Sequence, residues 1–501
     1  MITDIALQLE KAAELYGEKI MYSDCEQSIS FEKTNELAKR LGSALAKRRG
    51  VRSGVAVMTG RNVFTPAVFL GIVYAGCFYA PMDAAQPEER LKSILEVLDT
   101  DILITDRENS ERAGQLGFKG DIICADELFE SEIDEPLLDK ARADTCADDP
   151  LYVIFTSGST GRPKGVITSR LSLCCYIESY ADVMGIDESD VLGNQSPLDY
   201  IAAIRDIYLP IFRGASTFII PKQCFVMPAE LFKVMNERRI TSVGWSVSVF
   251  TIAVKVGAFE NDRPQYLKKV CFSGSVMPSN VLRVWQENLP HTLFVNQYGP
   301  TECTASCTYY RIDHTVCDDE EIPIGTHYKN YKVFLLSEDN TPTPKGEIGE
   351  ICVSGPIVAL GYYNNKELSE KSFIQNPLNN AYSERIYKTG DHGVIRDDGL
   401  LMFKGRKDRQ IKHLGHRVEL SEIEAAALRL DNINEACAMY LKEKELIYLF
   451  YSGSATSKEI AVHLRGILPG FMVPRKLIQL EELPHLSNGK INMQELKERM
   501  K

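Results

Sequence analysis

Short apolar runs alternate with amphipathic stretches along most of the chain. Val55–Met58, Asp101–Thr105, Leu151–Phe155, Phe218–Ile220, Ser242–Trp245 and Lys269–Phe272 read as short strands, and the continuous run Leu151–Phe155 fits a fully buried one. Ala67–Ala75, Ala229–Arg238 and Ser279–Leu289 read as helices. Repeated strand–helix alternation predicts α/β layers with largely parallel sheets. Near Glu320 the character changes: Tyr331–Leu336, Glu350–Val353 and Leu400–Phe403 read as strands between the turn clusters Glu338–Pro344 and Asp397–Gly399, a more β-rich subdomain. A last unit begins near Asp408, with a helix over Ser421–Leu430, strands at Ala436–Leu441 and Glu445–Tyr451, and a helix over Ser457–Leu468. Ser421 and Glu424 have the spacing of a capping box. The expected architecture is α/β. A large N-terminal domain, residues 1–407, holds layered α/β subdomains and a β-rich subdomain, and a small mobile α+β domain covers residues 408–501.

Composition narrows the class. At roughly 100–200 residues per domain, the length suggests two to four units. Hydrophobic content of 44% and charged content of 25% suit a globular chain able to bury a large core. A net charge of −12 argues against nucleic acid or an anionic membrane as the main partner, while leaving room for a local basic pocket. The opening MITDIALQLEKAAELYG lacks the pattern of a secretory signal, and no apolar stretch approaches membrane-spanning length. The 13 cysteines are scattered, and Cys303 and Cys307 have no second pair at zinc-ligand spacing. Reduced, mostly buried thiols in a cytoplasmic protein are the expectation.

Directly after the apolar run at Leu151–Phe155 comes Thr156-Ser157-Gly158-Ser159-Thr160-Gly161-Arg162-Pro163-Lys164-Gly165. Glycines let backbone amides approach phosphate oxygens, hydroxyls add donors, and Lys164 adds charge. The Walker pattern is absent. Composition alone leaves a phosphate loop and an ordinary small-residue surface loop equally open.

The stretch FTSGSTGRPKGV resembles the signature loop of the adenylate-forming superfamily, which includes peptide-synthetase adenylation domains, D-alanine–carrier protein ligases, acyl-CoA synthetases and luciferases. Further motifs follow in that family's order over nearly the whole chain. Tyr74-Ala75-Gly76, Pro81-Met82-Asp83 and Pro87-Glu88-Glu89-Arg90 resemble its early scaffold motif. Asn296-Gln297-Tyr298-Gly299-Pro300-Thr301-Glu302 resembles the adenine and magnesium motif. The resemblance implies that Tyr298 packs on adenine, Thr301 contacts phosphate and Glu302 holds Mg²⁺, a hard cation suited to a carboxylate and substrate phosphates. Gly346–Glu350, Gly355 and Gly361-Tyr362-Tyr363 match the next motif, and Asp391 in Tyr387-Lys388-Thr389-Gly390-Asp391 is implied as the acceptor of both ribose hydroxyls. In the segment from Gly405 to Lys412, Arg406 is implied as a ribose or phosphate contact and Asp408 as a hinge. Phe403 stands where many relatives carry tyrosine, keeping a ring but no hydroxyl. Lys490, in Leu486-Ser487-Asn488-Gly489-Lys490-Ile491, matches the catalytic lysine of acid activation.

The implied reaction is attack of a carboxylate on the α-phosphorus of ATP, release of pyrophosphate, and capture of the acyl-adenylate by a thiol. Lys490 and Mg²⁺ on Glu302 would stabilise phosphoryl charge, with the Thr156–Lys164 loop on pyrophosphate. Rotation about Asp408 would then withdraw Lys490 and present Lys412–Arg417. The stretch Asp408–Glu424 is closer to carrier-loading relatives than to CoA ligases, which more often show Asn and Pro where His416–Leu420 stand here. The expected acceptor is the phosphopantetheine of a carrier protein. No carrier-type Gly-x-Asp-Ser segment is present, so the carrier acts in trans or the sequence is one domain of something longer. An acyl-CoA synthetase is the alternative enzyme, and an inactive nucleotide-binding homologue the alternative outside enzymes.

For the acid, an amino acid comes first, with β-amino, hydroxy and aryl acids behind it. Alignment on Arg205-Asp206-Ile207-Tyr208 puts Ile201 where relatives bind the substrate amine with aspartate, and Asp199 lies two residues earlier. Arg205 could pair with an acidic substrate side chain or with a nearby protein acid. Trp245, Cys271, Ser273, Gln297, Ala305 and Ser306 complete the implied pocket.

Overall fold

The computed structural model describes residues 4–158, 162–260, 262–406, 409–485 and 491–500. The chain forms two compact units. Met1–Asp83, Leu98–Ile154 and Val166–Lys407 make the larger, and Ala84–Val97, Phe155–Gly165 and Asp408–Lys501 the smaller.

Three sheets organise the larger unit. The first has seven strands in the order Gly361–Tyr362, Lys164–Ser169, Pro150–Thr156, Phe78–Pro81, Gly54–Met58, Ile102–Thr105 and Asp121–Cys124. From Pro150–Thr156 to Asp121–Cys124 its pairings are parallel. The second has nine strands, with a parallel centre of Leu293–Tyr298, Lys269–Ser273, Ser242–Ser246, Val191–Asn194 and Ser216–Ile219 and antiparallel pairs toward each edge. The third is an antiparallel sheet of five strands, including Ile348–Ser354, Arg385–Ile395 and Leu401–Arg406. The predicted parallel layers and the β-rich segment after Glu320 are thus both present, with antiparallel edges that the local runs did not specify.

Strand alternation divides the core. Val270 and Phe272 enter one hydrophobic cluster with Trp245 and Trp285, while Cys271 between them enters the other. Successive side chains of a strand point to opposite faces, so the nine-stranded sheet separates the two clusters. Helix Thr65–Tyr74 is buried on every side, as an all-apolar helix must be. It lies against helix Phe31–Ala46 across two glycines. A Cβ on Gly71 would fall 2.9 Å from the Ala38 carbonyl oxygen, and one on Gly42 would fall 2.7 Å from Tyr74 Cβ.

In the smaller unit, strands Gln410–His413 and His416–Glu419 form a hairpin. Its two turn residues, Leu414 and Gly415, both have positive φ, as a twist-matched two-residue turn requires. Strands Ile433–Leu441, Leu446–Gly453 and Lys476–Gln479 form a mixed sheet. Helices Leu420–Ala427 and Ser457–Ile467 bury Ile423, Ile460 and Leu464 in a core with Val418 and Leu449.

The capping box expected at Ser421 is not formed. The hairpin runs straight into the helix, Glu419 is the N-cap without a side-chain bond, and Ser421 falls inside the first turn. Glu424 instead accepts from Arg409 Nη2 and the Ala438 amide, both at 2.7 Å. The box occurs at Thr456 and Glu459, whose side chains and backbone amides bond reciprocally.

Gly71→Val is expected to destabilise the chain by about 1–3 kcal/mol through overpacking, read as a lower thermal midpoint. An unchanged midpoint would show that the two helices have room to part.

Candidate functional site

The glycine–hydroxyl loop follows from a strand too buried to stop at the surface. Pro150–Thr156 carries the chain through the sheet and releases it at Ser157 and Gly158, both buried. A Cβ on Gly158 would collide with the Arg162 carbonyl, so the turn needs glycine there. Ser159, Thr160 and Gly161 lie outside the described residues. The neighbouring donors are engaged by the C-terminal part of their own unit. Ser157 donates its hydroxyl to the Arg417 carbonyl at 2.9 Å, and the Gly158 amide donates to Glu422 Oε2 at 3.2 Å. Lys164 Nζ lies 3.7 Å from Glu419 Oε1, and the Thr156 hydroxyl 3.5 Å from the Lys164 carbonyl oxygen. Glu422 Oε1 takes Arg90 Nη1 at 3.0 Å, with both side chains almost wholly buried. Burial pushes the Glu422 carboxyl up, against the pull of Arg90.

In the larger unit, four candidate residues come together at the end of strand Leu293–Tyr298. The Tyr298 hydroxyl donates to Asp391 Oδ2 at 2.6 Å, and Arg406 Nη1 reaches Asp391 Oδ1 at 2.5 Å. The Phe403 ring lies 6.2 Å from that of Tyr298, tilted by 40°. Burial, then the Asp391 charge, push the Tyr298 phenol well above its ordinary range, so it stays a donor. Asp391 follows Gly390, whose φ is +72°, and Thr389 ties the bend by accepting from the Asp391 amide at 3.0 Å and donating to the Ile351 carbonyl at 2.8 Å. Each oxygen of a carboxylate can accept more than one hydrogen bond, so Asp391 keeps acceptor capacity beyond its two protein partners.

Three residues beyond Tyr298 the chain makes a single 3₁₀ turn, Thr301–Cys303. Gly299 allows it, since a Cβ there would lie 2.5 Å from Ser306 Cα. Thr301 and Glu302 are buried, and Glu302 Oε1 accepts from the Tyr362 hydroxyl at 2.7 Å. Among the described residues no group of three or more His, Cys, Asp or Glu could hold a metal by itself. A single buried carboxylate such as Glu302, held by the Tyr362 hydroxyl, fits a hard cation that draws its other ligands from phosphate and water.

The residues expected to line an acid pocket divide. Gln297 accepts from the Ser306 hydroxyl at 3.3 Å, and Ala305 beside it has φ +73°, a left-handed conformation unusual for alanine. Arg205 is buried, with its Cζ 5.8 Å from the centre of the Tyr180 ring and its Nη2 donating to the Gly244 carbonyl. Gly244 is required there, because a Cβ would strike the guanidinium. Cys271 is buried nearby and feels both Arg205 and Tyr180, while burial drives its thiol up to about 11. Trp245 belongs to the other side of the sheet. It packs in the aromatic cluster with Phe250, and its indole donates to the Gly193 carbonyl at 2.8 Å. Ser273 ends its strand half-buried. Ile201 is packed in the core, and Asp199 Oδ2 accepts from the Asp83 amide at 3.2 Å. Asn296 is a structural tie, donating to the Pro323 carbonyl at 2.7 Å. Asp408 and Lys490 lie outside the described residues.

Residues 9–363 match the family model described as AMP-binding enzyme. The chain belongs to the AMP-binding enzyme family. It is 27% identical over 505 residues to tyrocidine synthase 1 of Brevibacillus parabrevis, covering 98% of this chain and 44% of that one. It therefore spans less than half the length of the first curated relatives it matches. Its fold is similar to the Vibrio cholerae adenylation domain AlmE, solved with glycyl-adenosine-5'-phosphate, at TM-score 0.86 and 21% identity over 100% of this chain and 98% of the other. It is nearly as similar to the o-succinylbenzoate CoA synthetase MenE of Bacillus subtilis, at TM-score 0.85 and 19% identity, covering 98% of each. At such identity the likeness is one of fold.

For an AMP-binding enzyme, the structure adds residues that the sequence motifs passed over. Tyr362 stood inside a quoted motif, but nothing local tied it to Glu302, 60 positions away. Thr389 positions Asp391 from within the same motif. Tyr176 and Tyr180, four apart on helix Arg170–Met184, face Arg205, and their i,i+4 spacing is the one local hint that they share a face. Asp391→Asn should weaken AMP binding by tenfold or more, since a hydrogen bond to a charged group contributes about 1.5–3 kcal/mol, and Tyr298→Phe should weaken it less. Calorimetric titration with AMP reads both, and unaltered affinity in Asp391→Asn would take that carboxylate out of nucleoside recognition.

Proposed function

We propose that this adenylate-forming enzyme joins a carboxylic acid, an amino acid first among the candidates, to AMP with release of pyrophosphate. It then passes the acyl group to the phosphopantetheine thiol of a carrier protein. The supporting observation is that two neighbouring residues of one strand serve two different sites. Tyr298 meets Asp391, which also takes Arg406, a donor–acceptor set suited to a ribose and its ring system, while Gln297 meets Ser306 in the polar cluster that contains Arg205. A nucleotide and an acid gripped on the two sides of one strand end would be held for in-line attack.

In this reading Asp391 orients the ribose, Tyr298 and Phe403 hold the base, and Arg406 adds charge toward ribose or phosphate. Glu302 and Thr301 face the phosphates, and Glu302 would hold Mg²⁺, which when bound neutralises triphosphate charge. Ser157, Gly158 and Lys164, with Ser159, Thr160 and Gly161, would take pyrophosphate. Lys490 would bridge carboxylate and α-phosphate, and Asp408 would be the hinge between residues 1–407 and 408–501. The cytoplasm is the proposed setting. All 13 cysteines are free, nine of them buried, and among the described residues no helix is long and apolar enough to cross a membrane.

CoA as the acceptor is a second reading, favoured by the nearly equal likeness to a CoA synthetase fold. Acid-dependent ATP–pyrophosphate exchange with amino, β-amino and aryl acids tests activation, and no exchange across the panel would sink it. Trapping the product with CoA against a phosphopantetheinylated carrier protein separates the acceptors. Lys490→Ala should lower adenylate formation by about 100-fold or more, as loss of a transition-state charge partner does, and spare transfer from supplied adenylate. Equal loss in both steps would contradict its role.

A further inference from the structure

The polar cluster around Arg205 has more buried donors than acceptors. Arg205 Nε makes no hydrogen bond; its nearest carboxylate oxygen, Asp206 Oδ1, is 3.7 Å away and that side chain already accepts from Asn194 Nδ2 at 2.9 Å. Gln297 spends its carbonyl on Ser306 and leaves Nε2 without a partner. The hydroxyls of Tyr176, which faces Arg205 and Ser306, and of Tyr328, which faces Tyr176 and Cys271, also lack partners in bonding geometry. All four residues are buried. A native interior rarely leaves buried donors unmatched, so several together mark a place where something else supplies acceptors.

Charge points the same way. Burial keeps Tyr176 neutral by raising its phenol to about 12 and does the same to the Cys271 thiol, so neither offers Arg205 an anion at neutral pH. Asp206 also faces the half-buried Arg61, which donates to the carbonyls of Asn194, Ser196 and Ile220 and to the Asn194 side-chain oxygen. Two guanidinium groups, one buried and one half-buried, therefore face the buried Asp206 carboxylate. At the position where relatives place an amine-binding aspartate, this chain has Ile201 in the apolar core, and Asp199 is turned to the Asp83 amide.

We infer that Arg205, with Gln297 Nε2 and the Tyr176 hydroxyl, forms a specificity subsite for a second, distal carboxylate, so that the activated substrate is a dicarboxylic acid or an acidic amino acid. A carboxylate brings two oxygens and no donors, the complement of this set. Arginine presents a planar fork to it, and Gly244 leaves the space in which that fork lies on the sheet. This inference rests on the acid-activating reading above and narrows it.

The test is acid-dependent pyrophosphate exchange by the full chain with matched pairs: aspartate against asparagine, glutamate against glutamine, and glutarate against butyrate. The charged member of at least one pair should be preferred by about tenfold or more in kcat/KM, the scale of a desolvated charge pair. Arg205→Lys should keep the preference. Arg205→Met should abolish it by lowering kcat/KM for the charged member about tenfold or more beyond any loss for the neutral member, a change of ratio that mere structural damage would not produce. If Arg205→Met does not fold, Tyr176→Phe takes its place, with a loss expected to be several-fold larger for the charged member than for the neutral one. Wild-type preference for neutral members, or variants that lower both members equally, would overturn the inference and leave acid activation standing. The absence of exchange with every acid tried would overturn both.

Discussion

A carboxylate removed from water must be matched by donors of fixed geometry or it will take up a proton or move. Asp391 meets this condition in the larger unit. Tyr298 reaches it from the nine-stranded sheet, Arg406 from the five-stranded sheet, and Thr389 fixes the backbone bend that carries it. The same pairing therefore ties two sheets at the place where a nucleoside would rest. On the proposed function the demands of folding and of binding would fall on one side chain, and the site would not need to be ordered by its ligand.

The outline of this arrangement was legible in local sequence. Buried parallel strands declare themselves as continuous runs such as Leu151–Phe155, and turn chemistry marks their ends. What local pattern could not give was partnership across distance. Arg90 and Glu422 are 332 positions apart and meet in an almost dry ion pair. Tyr362 reaches Glu302, and Gly244 makes room for Arg205, without a motif that contains both. Trp245 shows the converse difficulty. Alignment assigns it to a pocket, while strand alternation sends its ring to the opposite face from Cys271, into a cluster with Phe250.

The misplaced capping box has the same origin. Ser421 and Glu424 have the right spacing, but the backbone enters the helix directly from a hairpin, and Glu424 is drawn away by Arg409 and the Ala438 amide. At Thr456 the helix starts so that the hydroxyl residue itself is the N-cap, with Glu459 three positions on, and the reciprocal bonds form. A short spacing rule holds where the approach of the chain permits it, and that approach is a tertiary property.

Glu422 has one more consequence. With one oxygen on the Gly158 amide and the other on Arg90, it acts as a built-in surrogate anion for the strand-end loop. Any phosphate that claims this amide displaces an acceptor rather than filling a vacancy, and it leaves behind a carboxylate that must find a new donor. On the proposed function, affinity at the loop would be the difference between two occupied states, so that a charged leaving group could be gripped firmly and still released.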